Sequence, residues 1–312
     1  DANEAAPPFE QYLGYYMEDD ENDLYRAIIR DGEDMALEIM GKGVVPLTYV
    51  GEDRWKLRPN PSESLTFDRS EAGIVTGFHV GDHKEFRFEP SSDLPDIDEV
   101  AARVAKFHRI DLLESLGALR LSGAVTIEKQ KITGEISTLL AWPHSIRMDS
   151  EAAGQVERYA FDGEAVRTFT SVTPLTVLEG ERAEMLRLDS PLVRYGDWRH
   201  WYPDAQVIQK IEGGGKKVLL VRTGGTSAPA RTLYIDLEKG GILAEDSLVH
   251  LGALGRIGQH VEFGDHREVS GMMLPFRTEV EFPNPMIGTI ITTVTSVELD
   301  AELHEGVFEL ED

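Results

Sequence analysis

Short segments of alternating apolar and polar residues, separated by turn-forming residues, run through most of this chain. In the first third, LYRAIIR, MALEIMG, VPLTYV, RWKLR and SLTFD follow one another at intervals of about ten residues. Asp31-Gly32 between the first two is a strong hairpin signal, because glycine tolerates the positive φ of tight turns. Residues 9–90 are therefore predicted to form a small antiparallel β-meander, closed as a barrel or sandwich, after a polar tail over residues 1–8.

This rhythm breaks at PSSDLPDIDEV, residues 90–100, which holds two prolines and four acidic residues and is the predicted domain boundary. Beyond it, Val100, Val104 and Phe107 recur with helical spacing, and Asp96 is placed to cap a helix over residues 97–108. The second predicted domain, residues 96–312, returns to strands from Ala118 onward.

A second helical stretch is predicted between about Gly180 and Trp198. Its apolar stripe consists of Met185, Leu188, Leu192 and Tyr195. The whole pattern predicts a mainly β chain of the α+β class, in which a small β-barrel precedes a larger antiparallel sheet with a few helices.

The composition of the chain argues against several classes of function and structure. The chain carries 31 basic and 56 acidic residues, a formal net charge of −25, and this field would repel nucleic acid and anionic membrane surfaces. It has no cysteine, so disulfides and thiolate metal sites are excluded. No run of 18 apolar residues could form a transmembrane helix. We expect a soluble protein; no cofactor or metal is predicted, and the oligomeric state stays open.

The order of segments in the second domain resembles the outer-membrane lipoprotein-sorting (LolA/LolB-like) superfamily over about residues 95–312. The similarity rests on LPDIDEV, LGALRLSGAVTI, AFDGEAV, DWRHWYPDAQV, RTLYIDLEKGGIL and HREVSGMMLPFRTEVEF taken in order. It implies an incomplete antiparallel barrel wrapped over helices, an apolar cavity that holds acyl chains or other hydrophobic ligands, and a periplasmic or secreted location. Less specifically, FEQYLGYYMEDD and the meander after it, residues 9–90, resemble the small β-domain appended to serine hydrolases of the β-lactamase type.

Candidate ligand-binding residues follow from this implied cavity. They share apolar character and lie on predicted inward strand positions or in the aromatic cluster YGDWRHWYPD, which could form the lip of a cavity or anchor a helix end. The candidates are Leu140, Trp142, Ile146, Met148, Tyr159, Phe161, Trp198, Trp201, Leu219, Val221, Met273 and Phe276.

Several motifs that could carry chemistry have simpler structural explanations. GDHKE at residues 81–85 and GDHRE at residues 264–268 are predicted to be hairpin turns with charged starts. MEDDEND, residues 17–23, offers oxygen ligands to calcium but lacks the glycine and distal glutamate of an EF-hand loop. No P-loop, G-x-S-x-G, H-E-x-x-H or S-x-x-K motif occurs, so no catalytic residue is predicted.

The segment HREVSGMMLPFRTEVEF holds a further hairpin. Ser270-Gly271 is predicted to be its turn, and Pro275, which lacks an N–H, is expected at a strand edge or bulge. An open edge there would suit an incomplete barrel.

The preferred hypothesis is a non-enzymatic extracytoplasmic protein that binds a lipid, a lipoprotein acyl chain or another hydrophobic molecule. Two alternatives stay open. Because the sequence begins at Asp1, the chain could be the C-terminal accessory region of a larger secreted hydrolase. It could also be an enzyme that uses a lipocalin-like barrel as a reaction chamber, with buried Asp, Glu or Tyr as acid and base.

Overall fold

The computed structural model describes residues 7–18, 24–58, 62–213, 215–226, 229–250 and 255–310. Within them, strands form one closed eight-stranded barrel and one thirteen-stranded sheet, and helices are few and short. The mainly β class predicted from the alternation is confirmed.

The barrel is an up-and-down meander in which each strand pairs with the next and the first pairs with the last. Its strands are β1 (Gly14–Met17), β2 (Arg26–Asp31), β3 (Asp34–Ile39), β4 (Gly43–Gly51), β5 (Arg54–Leu57), β6 (Ser64–Arg69), β7 (Val75–Val80) and β8 (His83–Phe88). Inward positions carry large rings and aliphatic chains, among them Tyr12, Tyr16, Trp55, Phe67 and Phe78. The interior is therefore a packed core.

The C-terminal sheet is entirely antiparallel. Its strands are β9 (Ala118–Ile127), β10 (Ile132–Ala141), β11 (Ser145–Ala152), β12 (Gln155–Phe161), β13 (Val166–Thr170), β14 (Thr173–Leu178), β15 (Gln206–Gly213), β16 (Lys216–Arg222), β17 (Thr232–Asp236), β18 (Ile242–His250), β19 (Arg256–Val269), β20 (Met272–Glu281) and β21 (Thr289–Leu299). The last strand, β21, inserts beside β9 and so joins the two halves in the order 14-13-12-11-10-9-21-20-19-18-17-16-15.

Five α-helices accompany this sheet. They are α1 (Ile97–His108), α2 (Leu113–Leu116), α3 (Gly180–Leu188), α4 (Pro191–Arg194) and α5 (Trp198–Trp201). The predicted first helix is confirmed, and its Asp96 cap accepts a hydrogen bond from the Asp98 N–H at 2.8 Å. Buried residues of α1 and α3–α5 share one core cluster with residues of the sheet.

The predicted helical stretch from Gly180 to Trp198 is three short helices. The Ser190 side chain caps α4 by accepting from the Leu192 N–H, and Pro191 occupies the first helical turn. A serine followed by proline starts a new helix and cannot continue the old one, because proline lacks the N–H that the previous turn needs. All four residues of the predicted stripe are nevertheless buried.

The turn at Ser270-Gly271 is confirmed, since β19 ends at Val269 and β20 begins at Met272. Pro275 pairs with His266 on β19, and the pairing of β20 with β21 begins only at Arg277. The side toward β21 is unpaired at Pro275, as expected of a proline at a strand edge.

The two GDH segments differ in structure. Gly81-Asp82 is the predicted turn between β7 and β8. The prediction of a turn at Gly264-Asp265 is wrong, because β19 continues through it and keeps its register with β20 on both sides. Within this strand, Asp265 adopts a positive φ of +49°.

The barrel packs its outer face against the sheet, so that β2 is buried on both sides. Ile28 points into the barrel core, whereas Ile29 belongs to a cluster with Leu220 of the sheet. A buried ion pair between Arg222 and Glu38 crosses this contact. The backbones of residues 42–43 and Gly258 approach so closely that a Cβ on Gly258 would lie 2.4 Å from the Gly43 nitrogen, which requires glycine there.

Candidate ligand-binding site

A cavity of about 300 Å³ lies between the sheet strands β9–β11 and β18–β21 and the short helix α4. Strand residues form its walls, and residues at the start and end of α4 form what we call its floor. The lining residues are Leu121, Ser122, Gly123, Ile136, Thr138, Leu140, Met148, Asp189, Pro191, Arg194, Tyr195, Glu245, Gln259, Val261, Phe263, Leu274, Pro275, Thr278, Val280, Thr292, Thr293 and Val294.

The cavity stays unfilled because many wall residues are small. Thr138, Thr278 and Thr292 occupy positions on central strands where a leucine or a phenylalanine would extend across the space. Threonine keeps the strand propensity of a β-branched residue while reaching only a short distance from the backbone. A wide sheet with short inward side chains therefore leaves room between itself and the helices.

The floor is part of a charged cluster that consists of Asp189, Arg194, Arg231 and Glu245. Arg194 Nε donates to Glu245 Oε2 at 2.8 Å, and Arg231 Nη1 donates to Glu245 Oε1 at 2.5 Å. Arg231 Nη2 also donates to Asp189 Oδ1 at 2.8 Å and to the Met185 carbonyl at 2.7 Å. The cluster contains two arginines and two carboxylates, so its charges balance when both acids are ionised.

Burial acts differently on the two acids. It opposes ionisation of Glu245, but the two flanking arginines outweigh it and the pKa of Glu245 is lowered. Burial raises the pKa of Asp189, and its one arginine partner only partly offsets this. Glu245 is thus a fixed anion, whereas Asp189 is the more easily protonated member of the cluster.

Arg194 is the arginine of the cluster that lines the cavity, and it has donors to spare within the described structure. Its Nε is used by Glu245, whereas neither Nη atom donates a hydrogen bond. The guanidinium carbon lies 4.6 Å from the centroid of the Phe263 ring, which also lines the cavity. The cation is therefore placed beside an aromatic face with unsatisfied N–H groups.

Behind the floor, His108 fixes the end of α1 to the sheet. Its Nδ1 donates to the Met273 carbonyl at 2.9 Å, and its Nε2 accepts from the Ile242 N–H at 3.2 Å. Its ring stacks on Tyr195 with centroids 3.8 Å apart. Burial lowers the pKa of His108 to about 3, so the ring is neutral and supports Tyr195 at the cavity.

The structure brings two of the twelve sequence-derived candidates to the cavity, Leu140 and Met148. Six others, Ile146, Tyr159, Phe161, Trp198, Leu219 and Val221, are buried in the main core of the sheet and helices.

The remaining four lie elsewhere. Trp142 is 37% exposed and precedes a cis proline. Trp201 is half-buried under the Arg187 guanidinium, the Met273 side chain is half-buried, and Phe276 is buried beneath Arg267.

The lining residues that sequence reasoning missed are polar or small, such as Thr138, Thr278, Thr292 and Arg194. A search for apolar candidates passes over them. The alternation in TIITTVTSVEL contains the threonines of β21, and Arg194 occupies a helical position close to the apolar stripe of α3–α4. Neither signal distinguishes a cavity wall from an ordinary strand.

A second depression of about 340 Å³ opens at one end of the barrel, lined by Leu37, Val45, Phe78 and Glu85 among others. Ligand atoms of Glu18, His83 and Glu85 there lie within 4.8 Å of one another. Arg26 donates to the fully buried Glu85, and His83 Nε2 lies 2.7 Å from the same carboxylate oxygen. Arg26 thus already supplies a cation to this cluster. Residues 19–23 of MEDDEND lie outside the described residues.

The sequence matches no family model and no curated protein. Among solved structures, it is similar to a LolA superfamily protein from Nitrosomonas europaea, with 11% identity, a TM-score of 0.50, and coverage of 69% of this chain and 98% of that one. The thirteen-stranded sheet with its helices has a LolA-like fold, and we call this part of the chain the LolA-like domain. At this identity the likeness carries the fold alone.

Two further structures resemble the LolA-like domain less closely. A DUF1329 family protein from Desulfovibrio piger aligns with 12% identity and a TM-score of 0.44 over 68% of this chain and 97% of that one. An outer membrane lipoprotein-sorting protein domain from Vibrio parahaemolyticus aligns with 9% identity and a TM-score of 0.45 over 67% and 94%. Within the described residues, no helix has the length and apolar character needed to cross a membrane.

Proposed function

We propose that this protein binds one small hydrophobic or amphiphilic molecule in the cavity of its LolA-like domain, outside the cytoplasm. The observation that carries the proposal is a preformed space of about 300 Å³ with largely apolar walls and a few polar groups at one end, which is the usual composition of a small-molecule site. The extracytoplasmic location follows from the family resemblance.

The volume limits the ligand. A water molecule occupies about 30 Å³ in the liquid, and a methylene group is of similar size, so the cavity holds on the order of ten non-hydrogen atoms. One short acyl chain fits this space, whereas the several long chains of a lipoprotein anchor do not. We therefore propose a single-chain ligand of about eight to ten carbons.

The expected affinity is modest. Burying eight methylene or methyl groups contributes roughly 6 kcal/mol, at about 0.8 kcal/mol each. Association costs at least about 4 kcal/mol in lost freedom. The difference of about 2 kcal/mol corresponds to a dissociation constant of roughly tens of millimolar for a neutral chain held by burial alone, and a polar contact would tighten it.

Titration of the protein with 1-octanol, observed through its methionine methyl groups by NMR, tests this proposal. Met148 lines the cavity, whereas Met35 lies inside the barrel and serves as an internal control. We expect the Met148 methyl resonance to move progressively with octanol concentration and the Met35 resonance to stay. Octanol that leaves Met148 unchanged up to its solubility limit would contradict the proposal.

A matched pair of variants locates the site. Thr292→Trp places a large ring in the cavity and should abolish the Met148 response, whereas Val172→Trp adds the same ring at a position that is 84% exposed and should not. A response that survives Thr292→Trp would show binding elsewhere.

Acid–base catalysis in the same cavity is a second candidate, favoured by Asp189, which lines the cavity and has a raised pKa. The pairing of Asp189 with Arg231 makes binding the primary proposal. Incubation with methyl octanoate, followed by mass spectrometry, separates the two. Ester hydrolysis that Asp189→Asn removes would support catalysis, and recovery of intact ester would oppose it.

A further inference from the structure

Arg194 is buried, yet most of its hydrogen-bond donors have no acceptor. Its side chain is 8% exposed, and its one hydrogen bond within the described structure is from Nε to Glu245. A guanidinium carries five N–H donors in a planar fork, and buried donors without acceptors cost free energy. Both Nη groups of Arg194 therefore have no protein acceptor within the described structure and are available to a molecule in the cavity that Arg194 lines.

No neighbouring side chain accepts a hydrogen bond from the Arg194 Nη groups within the described structure. The Tyr195 hydroxyl interacts with the Arg194 side chain without meeting hydrogen-bond geometry, and one hydroxyl cannot satisfy two Nη groups. Glu245 has both oxygens engaged, one by Arg194 Nε and the other by Arg231. Asp189 accepts from Arg231. Gln259 donates to Ser247 on the side of the cavity formed by β18 and β19. The space next to Arg194 is the cavity itself, because Arg194, Phe263 and Leu274 all line it.

We infer that the bound molecule is a medium-chain carboxylate whose head group accepts hydrogen bonds from the Nη groups of Arg194 while its chain lies along the walls of the cavity. This inference rests on the proposed function and names its ligand class. A carboxylate matches the planar fork of a guanidinium, since two parallel N–H groups can reach its two oxygens. Octanoate, with ten non-hydrogen atoms, has the size that the cavity allows.

The charges around the floor permit this anion. Arg194 and Arg231 balance Glu245 and Asp189, so an incoming carboxylate meets no net negative charge as long as the cluster is electroneutral. The raised pKa of Asp189 lowers the cost further, because protonation of Asp189 removes a negative charge from the floor. Tyr195, which also lines the cavity, stays neutral because burial raises its pKa to about 12.

The overall charge of the protein makes the test diagnostic. A net charge of −25 attracts cations and repels anions at long range. Preference for an anion over a cation of equal length must therefore come from a local positive group and cannot come from the general field.

The experiment compares octanoate, 1-octanol and octylammonium on the unmodified protein, with the Met148 methyl as readout. We expect octanoate to bind at least 10-fold more tightly than octanol, and octylammonium to bind most weakly. Equal binding of octanoate and octanol would overturn the inference and leave the proposed function intact. Absence of binding by all three would overturn both.

Two variants assign the preference to Arg194. In Arg194→Gln, the ratio of octanoate affinity to octanol affinity should fall to one or below, because the floor loses both the fork and one positive charge. Should this variant not fold, Arg194→Lys keeps a cation for Glu245 but loses the fork, and should lower the ratio of octanoate affinity to octanol affinity several-fold. Undiminished preference for octanoate in the variant that folds would contradict the inference.

Discussion

The two β-structures of this chain fill their interiors in different ways. The eight-stranded barrel closes on itself and packs aromatic rings across its centre, with Tyr12 and Phe67 centroids 4.5 Å apart and Tyr16 and Phe78 centroids 5.1 Å apart. The thirteen-stranded sheet stays open, takes helices into its concave side, and places threonines where the barrel places rings. Side-chain size at inward positions thus decides where space remains, which is at one end of the barrel and between the sheet and its helices.

The buried side chain available to a ligand carries a different charge in each of the two depressions. At the open end of the barrel, the buried group is the Glu85 carboxylate, and Arg26 and His83 contact one of its oxygens. On the cavity floor, the group with spare hydrogen-bonding capacity is a cation, Arg194. Two depressions of similar volume should therefore favour opposite ligand charges, and we expect the one in the LolA-like domain to favour anions.

The largest expected effect tests the packed barrel against the open cavity. Phe67→Ala removes a buried ring that contacts Tyr12, Tyr16 and Phe78 and should lower the free energy of unfolding by about 3–5 kcal/mol. Val280→Ala, at a cavity wall that already borders empty space, should cost less than about 1.5 kcal/mol. Urea titration measures both. A loss at Val280 as large as that at Phe67 would contradict the claim that Val280 borders empty space.

The second effect tests the contact between the two regions. Arg222 is fully buried and pairs with Glu38 across it, so Arg222→Met leaves a largely buried carboxylate without its cation and should cost about 3–5 kcal/mol. The double variant Arg222→Met/Glu38→Gln removes the stranded charge and should recover part of this loss. If the double variant were as unstable as the sum of its parts, the two side chains would not be coupled.

The third effect is a pH dependence of the free energy of unfolding that arises from His108, which lies between α1 and the sheet. The pKa of His108 falls from an ordinary 6.5 to about 3 on folding, so between these values the unfolded chain binds a proton that the folded chain does not. The stabilisation is complete above pH 6.5 and is lost as pH falls toward 3, by at most about 1.4 kcal/mol per pH unit.

His108→Gln should flatten that slope between pH 6.5 and 5 in urea titrations, although it also lowers stability at neutral pH. The barrel core cluster contains no such buried imidazole among its described residues. An unchanged slope in the variant would show that other groups account for the acid sensitivity.

The smallest expected effect is the loss of an exposed ion pair, which serves as a comparison for the buried pair of Arg222 and Glu38. Arg199 pairs with Asp98, and their side chains are 76% and 52% exposed. Because solvent screens such a pair, Arg199→Ala should change the free energy of unfolding by no more than about 0.5 kcal/mol. A cost comparable to that of Arg222→Met would remove burial as the explanation for the difference.

Sequence reasoning recovers those parts of the fold that depend on local periodicity. The barrel meander, the helix capped by Asp96 and the turn at Ser270-Gly271 all follow from alternation, helical spacing and turn chemistry. It fails where tertiary pairing overrides a local signal. GDHRE at residues 264–268 differs in one residue from GDHKE at residues 81–85, which forms a turn. GDHRE nevertheless continues as a strand, because it pairs with β20 in register.

The candidate site is less accessible from the sequence, because a cavity is defined by what does not fill it. Leu140 and Met148 were found as apolar inward positions, but Ile146, Phe161 and Leu219 satisfy the same criterion and are core residues. The spare donors of Arg194 depend on Arg231 occupying the other side of Glu245, 14 residues along the chain from it. Neither fact is visible before the strands are placed side by side.

The most direct test of the central claim is native mass spectrometry of the protein in the presence of octanoate, compared between the unmodified chain and Thr292→Trp. We predict one bound octanoate per chain, lost in Thr292→Trp and retained in Val172→Trp. Octanoate bound with the same stoichiometry to all three proteins would contradict the claim that the cavity of the LolA-like domain is the binding site.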